Sequence, residues 1–478
     1  MSKARKITIN PISRIEGHGK VVIRLDDDGN VADARFHVTQ FRGFEKFCQG
    51  RPFEEMPVIT QRICGICPVS HQLASAKACD AILGVTIPEP AVALRRLLHM
   101  GQFIQSHALH FFFLASPDLL LGWDADPTQR NVIGVAGVNP GLAIKGIQLR
   151  KFGQSIIQNL GGKRVHPVYA IPGGVINGLD DSSRLRLLSE FPAAYDSCQA
   201  ALDFIKEWLG KNREEIRQFA NFQSFLTGLV DSSGCPDMYD GQIRIHDSSQ
   251  HQNITFDPKN YLDHIAEHVE PWSYLKFPYL KDQGYPAGSY RVGPLARVNM
   301  AEGMSTPKAH DELLEYREKT RDDLSGSTLL YHYARVVELL NCLESAENLL
   351  QNPAICGTDI QQCSPAVNSE GIGVIEAPRG TLIHHYRVDQ YGAITDVNLI
   401  VATGHNNQAM NRSVAMVANE FIRNGNVREG ILNRIEGAIR CYDPCLSCST
   451  HAVGQMPLLV QIYQADGHLL TRLQRHGD

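Results

Sequence analysis

The chain of 478 residues carries 46 lysines and arginines against 51 aspartates and glutamates, a formal net charge of −5 with the two signs interspersed. That balance excludes the electrostatic footprint of a nucleic-acid or membrane-surface binder. The length exceeds what one hydrophobic core usually holds and asks for two or more cores or one elaborated domain, and twelve cysteines are too sparse for a disulfide framework, which points to a reduced, cytoplasmic protein.

The first residues, MSKARKITINPISRIEGH, contain no apolar run of the kind a secretory signal needs. Residues 7–38 read as strands: Val21, Ile23 and Leu25 alternate, Asp28-Gly29-Asn30 supplies a turn, and Val31 to Val38 runs back. RIEGH sits at the entry to this hairpin. In QRICGICPVSH, Cys64 and Cys67 form a CxxC immediately before Pro68, which suits the first turn of a helix running through Leu73, Ala76, Ala78 and Ile82 to Gly84. The thiols then lie at a helix N-terminus, where the dipole favours thiolate. From Ala91 to Ala115 the apolar residues Leu94, Leu97, Leu98, Ile104, Ala108 and Phe111 share one face at helical period. Arg95, Arg96, His99, Gln102, Gln105 and His107 interrupt that stretch and exclude a membrane span.

Another helix is expected over Arg184 to Phe219, ending in a charged, solvated run from Lys211 to Arg217. Residues 232–310, rich in Gly, Pro, Asp and Tyr, read as short strands and loops forming a lobe of their own. The spacing of Leu330, Tyr333, Val337, Leu340 and Leu343 predicts a helix over 324–350 that pairs with the first long one, ended by Pro353. Strands follow over 371–377, 381–386 and 393–401, then helices over 408–423 and 427–440. The last helix delivers a second CxxC, Cys445 and Cys448, inside RCYDPCLSCSTH. Beyond it, Leu458 to Tyr463 reads as a strand and Asp466-Gly467 as a turn.

Two CxxC pairs offer four soft thiolates to one metal, which suits Zn, Fe–S, Cu(I) or, in the right geometry, Ni. Zinc ribbons place their knuckles about 15–20 residues apart. Here the pairs stand at opposite ends of the chain, so a metal bound by both is a centre about which the domain folds. The other cysteines, Cys441 among them, have no ligand spacing and are expected to pack in the core. Adjacent on a strand, His384 and His385 point to opposite faces and are read as structural.

The runs RIEGHGK (Arg14 to Lys20), RGFE (Arg42 to Glu45), RICGICPVSH (Arg62 to His71), EAPRGTLIHHY (Glu376 to Tyr386) and DPCLSCSTH (Asp443 to His451) together resemble the nickel–iron hydrogenase large subunit, and in the family's order. RGFEKFCQG, SYRVGPLARVN and THAVGQMPL look most like its soluble, NAD-reducing type. The fold this implies is α+β and predominantly α, a long-helix bundle with smaller peripheral sheets, with residues 1–451 as the catalytic domain. Residues 452–478 would be an extension that a maturation endopeptidase removes after His451.

By that resemblance Cys64, Cys67, Cys445 and Cys448 bind Ni, and Cys67 and Cys448 bridge to an Fe carrying CO and CN. Glu16, which by itself is as readily a turn partner of Arg14, becomes the first proton relay from the second C-terminal cysteine. Arg379, with Asp443, overhangs the open face of the metal pair; relatives carry an acidic residue where this chain has Ser106, leaving open a carboxylate partner there. His71, four residues after Cys67, is placed to hydrogen-bond the bridging sulfur. Glu45, His451 and a backbone carbonyl near Ile400 would hold Mg2+, and Ala402 and Thr403 would face a cyanide.

The chain has neither a GxGxxG loop for NAD nor a ferredoxin-like cysteine run. The resemblance supplies partners for both: a small subunit with an Fe–S cluster, and diaphorase subunits binding FMN and NAD. The same H2 chemistry with a deazaflavin or disulfide-reductase acceptor is the nearest alternative. Outside that class stand a metal-free scaffold like the related subunit of respiratory complex I and a structural zinc protein.

Overall fold

The computed structural model describes residues 6–321, 324–364, 367–451, 458–463 and 469–475. β1 (Lys6–Ile9), β2 (Gly19–Leu25) and β3 (Val31–Val38) pair antiparallel in that order. Val21, Ile23, Phe36 and Val38 are buried, the two-residue period of a sheet packed on one face. The RIEGH loop joins β1 to β2, and a short helix, α1 (Phe44–Cys48), carries Glu45.

α2 (Pro68–Leu83) starts on Cys67 and is buried nearly all round. Its small residues let it lie directly on the strand Glu370–Ala377. Glycines complete that approach, because a Cβ on Gly373 or Gly371 would stand 2.0 Å from the Ala74 carbonyl oxygen or 2.1 Å from that of Ala78. α3 (Glu89–Leu109) is the predicted long helix, but it gives way to a π-helical turn at His110–Ala115 before resuming at Ser116–Leu121. Pro117 explains the change: it has no N–H to continue the ladder, so the helix loosens ahead of it.

α4 (Pro140–Gly161), absent from the sequence-based expectations, crosses α3 at Gly101 and Gly153. α5 (Asp181–Lys211) is capped by the Asp180 side chain, which accepts from Ser183 N at 2.9 Å. It breaks at Asn212, and the charged run forms a separate short helix, Arg213–Gln218.

Residues 232–310 are not a lobe of their own. β4 (Phe225–Val230), β5 (Gln242–Asp247) and β6 (Gln252–Phe256) form a sheet with the short strand Tyr290–Arg291. Its buried residues Leu229, Ile243, Ile245 and Tyr290 share one core with Val374, Ile383 and Ile400 of the later strands. The apolar faces are complementary, so the segment docks on the main body. α6 (Pro294–Met300) follows, and α7 (Tyr331–Gln351) packs against α3 and α5 as the pairing expected of it requires.

β7 (Glu370–Ala377), β8 (Gly380–Val388) and β9 (Ile394–Ile400) form an antiparallel meander. A one-turn helix, α8 (Ala402–His405), precedes α9 (Asn407–Phe421) and α10 (Glu429–Cys441), and α11 (Leu446–Ser449) carries the final CxxC. One large core cluster runs from Ile12 to Cys448, so the segments bearing the two CxxC pairs close the same interior. Among the described residues no helix is long and apolar enough to cross a membrane. Leu458–Tyr463 is a strand, paired antiparallel with Leu469–Arg475; the turn expected at Asp466-Gly467 falls outside the described residues.

Candidate metal centre

Cys64, Cys67, Cys445 and Cys448 converge in the interior with their sulfurs all within 4.8 Å of one another, and none is in a disulfide. The Cys64 and Cys445 sulfurs stand 3.2 Å apart, those of Cys67 and Cys448 3.4 Å, and those of Cys445 and Cys448 2.8 Å. Local structure sets each pair: Cys67 opens α2, and Cys445 opens α11 with its N–H donated to Thr403 Oγ1 at 2.9 Å.

The donor set fits a thiophilic cation. Hydrogen bonds from Cys445, Cys448 and Cys67 draw the Cys64 thiol well below its ordinary range, while burial pushes Cys445 and Cys448 well above theirs. One thiolate forms readily here; four in one dry pocket need a cation to hold them.

Glu16 lies beside this cluster. Its Oε2 is 3.0 Å from the Cys445 sulfur and accepts from Ser447 N at 3.0 Å, and its carbonyl accepts from Leu446 N at 3.1 Å. The sulfur it meets is therefore that of the first C-terminal cysteine, a correction to the expected Cys448. The reason is register: Glu16 and Cys445 form a parallel β-bridge, which places those two side by side. Arg14 does not pair with Glu16; it turns to Asp118 and the Leu114 carbonyl.

Arg379 also stands near these cysteines, buried to 3% exposure. Its Nε donates to the Asp443 carbonyl at 2.6 Å, Nη2 lies 3.1 Å from the Asp443 carboxylate, and Nη1 lies 3.5 Å from Ser106 Oγ. Asp443 has φ 53°, a left-handed conformation that Asp tolerates better than most side chains and that folds its carboxylate back toward the arginine. Asp443 thus supplies the carboxylate whose absence at Ser106 was in question. Burial raises the Asp443 pKa against the pull of Arg379, whereas Arg379 itself is held charged by Asp443 and the cysteines.

His71 Nδ1 meets His384 Nε2 at 3.1 Å, which leaves the His71 Nε2 as the ring nitrogen for the bridging sulfur. Burial lowers its pKa to about 4, which leaves it neutral. His384 in turn meets the Tyr386 hydroxyl, while His385 faces away to Tyr261 and Glu370, the opposite-face geometry expected of neighbours on a strand.

Glu45 and His451 come together at 3.5 Å, with Leu399 N donating to Glu45 Oε1 and the Cys448 carbonyl 2.8 Å from His451 Nδ1. Ile400 closes β9 next to Leu399. A buried carboxylate and imidazole side by side are donors that suit a hard cation keeping several waters. Ala402 and Thr403 open α8 against α11, with the Thr403 hydroxyl already engaged by Cys445 N. Cys441 stays in the core, 3.4 Å from His332 Nε2, its thiol pushed up to about 12 by burial.

Several supports escaped the sequence analysis. Gln102 and Gln105 both donate to the Ile66 carbonyl, and His166 Nε2 lies 3.0 Å from the Cys64 carbonyl, so the first CxxC loop is pinned from α3 and from a loop. Arg335 is buried beside Asp443. The signal was present: polar residues at core positions of an apolar helix need partners.

Residues 6–41 match the HoxL-like family, and residues 42–129 and 230–451 match the nickel-dependent hydrogenase family, more than half of the chain. The chain belongs to the nickel-dependent hydrogenase family. As a member, it is 45% identical to the NAD-reducing hydrogenase HoxS subunit beta of Cupriavidus necator, over 99% of this chain and all of that one. It is 43% identical to an F420-non-reducing hydrogenase chain of Methanothermobacter thermautotrophicus, over 98% of this chain and all of that one. A crystal structure of an NAD+-reducing [NiFe]-hydrogenase in the H2-reduced state superposes with a TM-score of 0.91 at 47% identity, covering 94% of this chain and all of its own. The fold is accordingly that of a hydrogenase large subunit, the α+β arrangement dominated by long helices.

Proposed function

We propose that this chain is the catalytic large subunit of a nickel–iron hydrogenase that interconverts H2 with two protons and two electrons and passes the electrons to NAD+ through partner subunits. One observation carries the reading: four buried cysteine sulfurs converge beside a carboxylate, Glu16, and a fixed guanidinium, Arg379. A Ni–Fe centre with CO and CN on Fe, when bound by these sulfurs, would supply the Lewis acidity that polarises H2.

The side chains divide the remaining work. Cys64, Cys67, Cys445 and Cys448 would hold that centre. A proton on the Cys445 sulfur passes to Glu16 Oε2 across the 3.0 Å contact, and Glu16, only half-buried, hands it on toward solvent. Arg379, anchored by Asp443, presents a permanent cation to the open face of the site in a dry environment where such a charge acts strongly. Thr403 orients Cys445, and His71 works through His384 and the packing of α2. Ala402 and Thr403 are the proposed neighbours of a cyanide. Glu45, His451 and the backbone at Ile400 are the proposed Mg2+ ligands, a clamp between the final motif and the β7–β9 sheet.

Electrons leave through a small subunit bearing an Fe–S cluster, and from there to diaphorase subunits that hold FMN and bind NAD, in the cytoplasm. The name of the C. necator relative supports NAD+ as acceptor. The methanogen relative, named for not reducing F420, does not favour a deazaflavin acceptor. The test is to purify the complex from its native host and measure Ni, Fe, infrared CO and CN stretches, and H2-dependent reduction of NAD+. Stoichiometric Ni and Fe, diatomic bands and NADH formation are expected. Zinc alone, without bands, would leave a structural zinc protein; H2 oxidation with dyes and none with NAD+ would move the acceptor elsewhere.

The extension from residue 452 is proposed to be removed by an endopeptidase during maturation. The family match ends at residue 451, and the solved NAD+-reducing structure is fully covered by 94% of this chain, which support that reading. The intact mass of the chain in the active complex is expected to correspond to an end at His451. A full-length mass in active enzyme would refute the cleavage.

A further inference from the structure

Behind Arg379 lies a buried charge cluster that none of these roles uses. Arg297 of α6, Glu338 of α7 and Glu376 of β7 are all at 0% exposure. The Arg297 Nε and Nη2 donate to the two oxygens of Glu338 at 2.5 and 2.8 Å, and Nη1 donates to Glu376 Oε2 at 2.5 Å. Its two remaining N–H groups reach main chain: Nη1 to the Ala377 carbonyl at 3.1 Å and Nη2 to the Pro378 carbonyl at 3.3 Å. All five donors of the guanidinium are thereby used.

Ala377 and Pro378 are the two residues immediately before Arg379. The far leg of the same turn is held as well, because Glu376 Oε1 accepts from Thr381 Oγ1 at 2.7 Å and from Leu229 N at 3.0 Å. The turn also rests directly on the segment leading into α6: a Cβ on Gly293 would come within 2.6 Å of the Arg379 carbonyl oxygen, and one on Gly380 within 2.2 Å of Val292 Cγ2. Glu338 extends the cluster to His107 Nε2 at 3.1 Å, next to Ser106, whose hydroxyl faces the Arg379 guanidinium.

We infer that Arg297 is a positioning residue: by gripping the main chain at Ala377 and Pro378, with Glu338 and Glu376 fixing its own plane, it holds the Arg379 guanidinium at the four-cysteine site. This rests on the reading of Arg379 as the cation of that site. Arg297 touches neither the sulfurs nor the space between them. Its two carboxylate partners come from different elements, so the grip ties the β7–β8 turn to α6 and α7 at once. A lysine cannot replace it, because one ammonium has three donors and no fixed plane with which to reach two carboxylates and two carbonyls.

The experiment compares R297K, E338Q, R379K and the double variant R297K/R379K, each matured in the native host within the whole complex. Ni and Fe per chain, the infrared frequencies of CO and CN, and the rate of H/D exchange are measured. R297K is expected to keep its metals, to shift the infrared bands in the same direction as R379K, and to exchange about ten-fold more slowly than wild type. The double variant is expected to be no slower than R379K alone, since a grip on Arg379 has nothing left to act on once that side chain is changed. Should R297K fail to mature, E338Q, which keeps the shape and removes one charge, carries the same comparison with R379K.

Multiplying losses in the double variant, a wild-type rate and spectrum in R297K, or loss of metal in both R297K and E338Q overturn the proposal. A wild-type rate in R379K overturns it too, but by removing the role of Arg379 itself, which marks that failure as distinct.

Discussion

Single side chains of one type meet very different fates in this protein, and the site is made from the difference. Cys48 and Cys441 are pushed up to about 12 by burial and stay inert thiols in the core, whereas Cys64 is drawn down by the sulfurs around it. The CxxC spacing made the four ligands legible in the sequence, because two thiols three residues apart at a helix start need a reason. The partner of Glu16 was not legible from spacing. Its identity depends on a β-bridge between residues more than four hundred positions apart. Replacing Glu16 with Gln keeps the hydrogen bonds to the backbone and removes the proton acceptor. H/D exchange is expected to fall by about a hundredfold or more with Ni and Fe content unchanged; exchange at the wild-type rate would exclude Glu16 as the relay.

Secondary-structure elements position these residues through close approaches that only small residues permit. α2 lies on β7 because Gly371 and Gly373 face its carbonyls, and α3 meets α4 where Gly101 and Gly153 leave room. A Cβ on Gly153 would stand 2.6 Å from Gln105 N, a main-chain atom that cannot move aside. G153V is therefore expected to force the two helices apart at a cost of about 1–3 kcal/mol. Because Gln102 and Gln105 on α3 pin the loop between Cys64 and Cys67, nickel content should fall along with Tm. A variant with wild-type Tm and full nickel would show that the crossing tolerates the added bulk. The helical period identified α3 and α7, but α4 escaped notice: its glycines and its exposed Ile144 and Ile147 blur the apolar stripe.

At the scale of the whole molecule, an interior with many buried charges and imidazoles makes stability depend on pH. Burial lowers His99 and His107 to about 4. His107 faces Glu338, Arg335 and Arg297; His99 faces the Glu376 and Met238 carbonyls, Arg297 and Arg96. In the unfolded chain both titrate near about 6.5. Below that pH the unfolded state binds protons that the folded state refuses until about 4, so stability is intact above pH 6.5 and is lost as pH falls through that window. Each histidine costs on the order of 2 kcal/mol at pH 5. Glu338, held at about 2 by Arg297 despite its burial, adds its loss only below its unfolded value of about 4.3. The urea midpoint is expected to drop between pH 7 and pH 5, and less so in H107Q. An unchanged midpoint would mean that these rings are not neutral in the folded protein.

The sequence by itself determined the family, through five motifs that resemble it in order, and the paired cysteines and most long elements, which follow from local spacing and periodicity: CxxC before a helix, polar breaks in an apolar helix, alternation in strands. It also determined that Arg379 and Asp443 belong to the site, through the motifs that contain them. Only the tertiary structure decided which sulfur Glu16 meets, that His71 turns to His384, that residues 232–310 join the main body, and that Arg297 grips the turn bearing Arg379. Each of those depends on the direction of a side chain across a contact between distant segments, and no local pattern records such a direction.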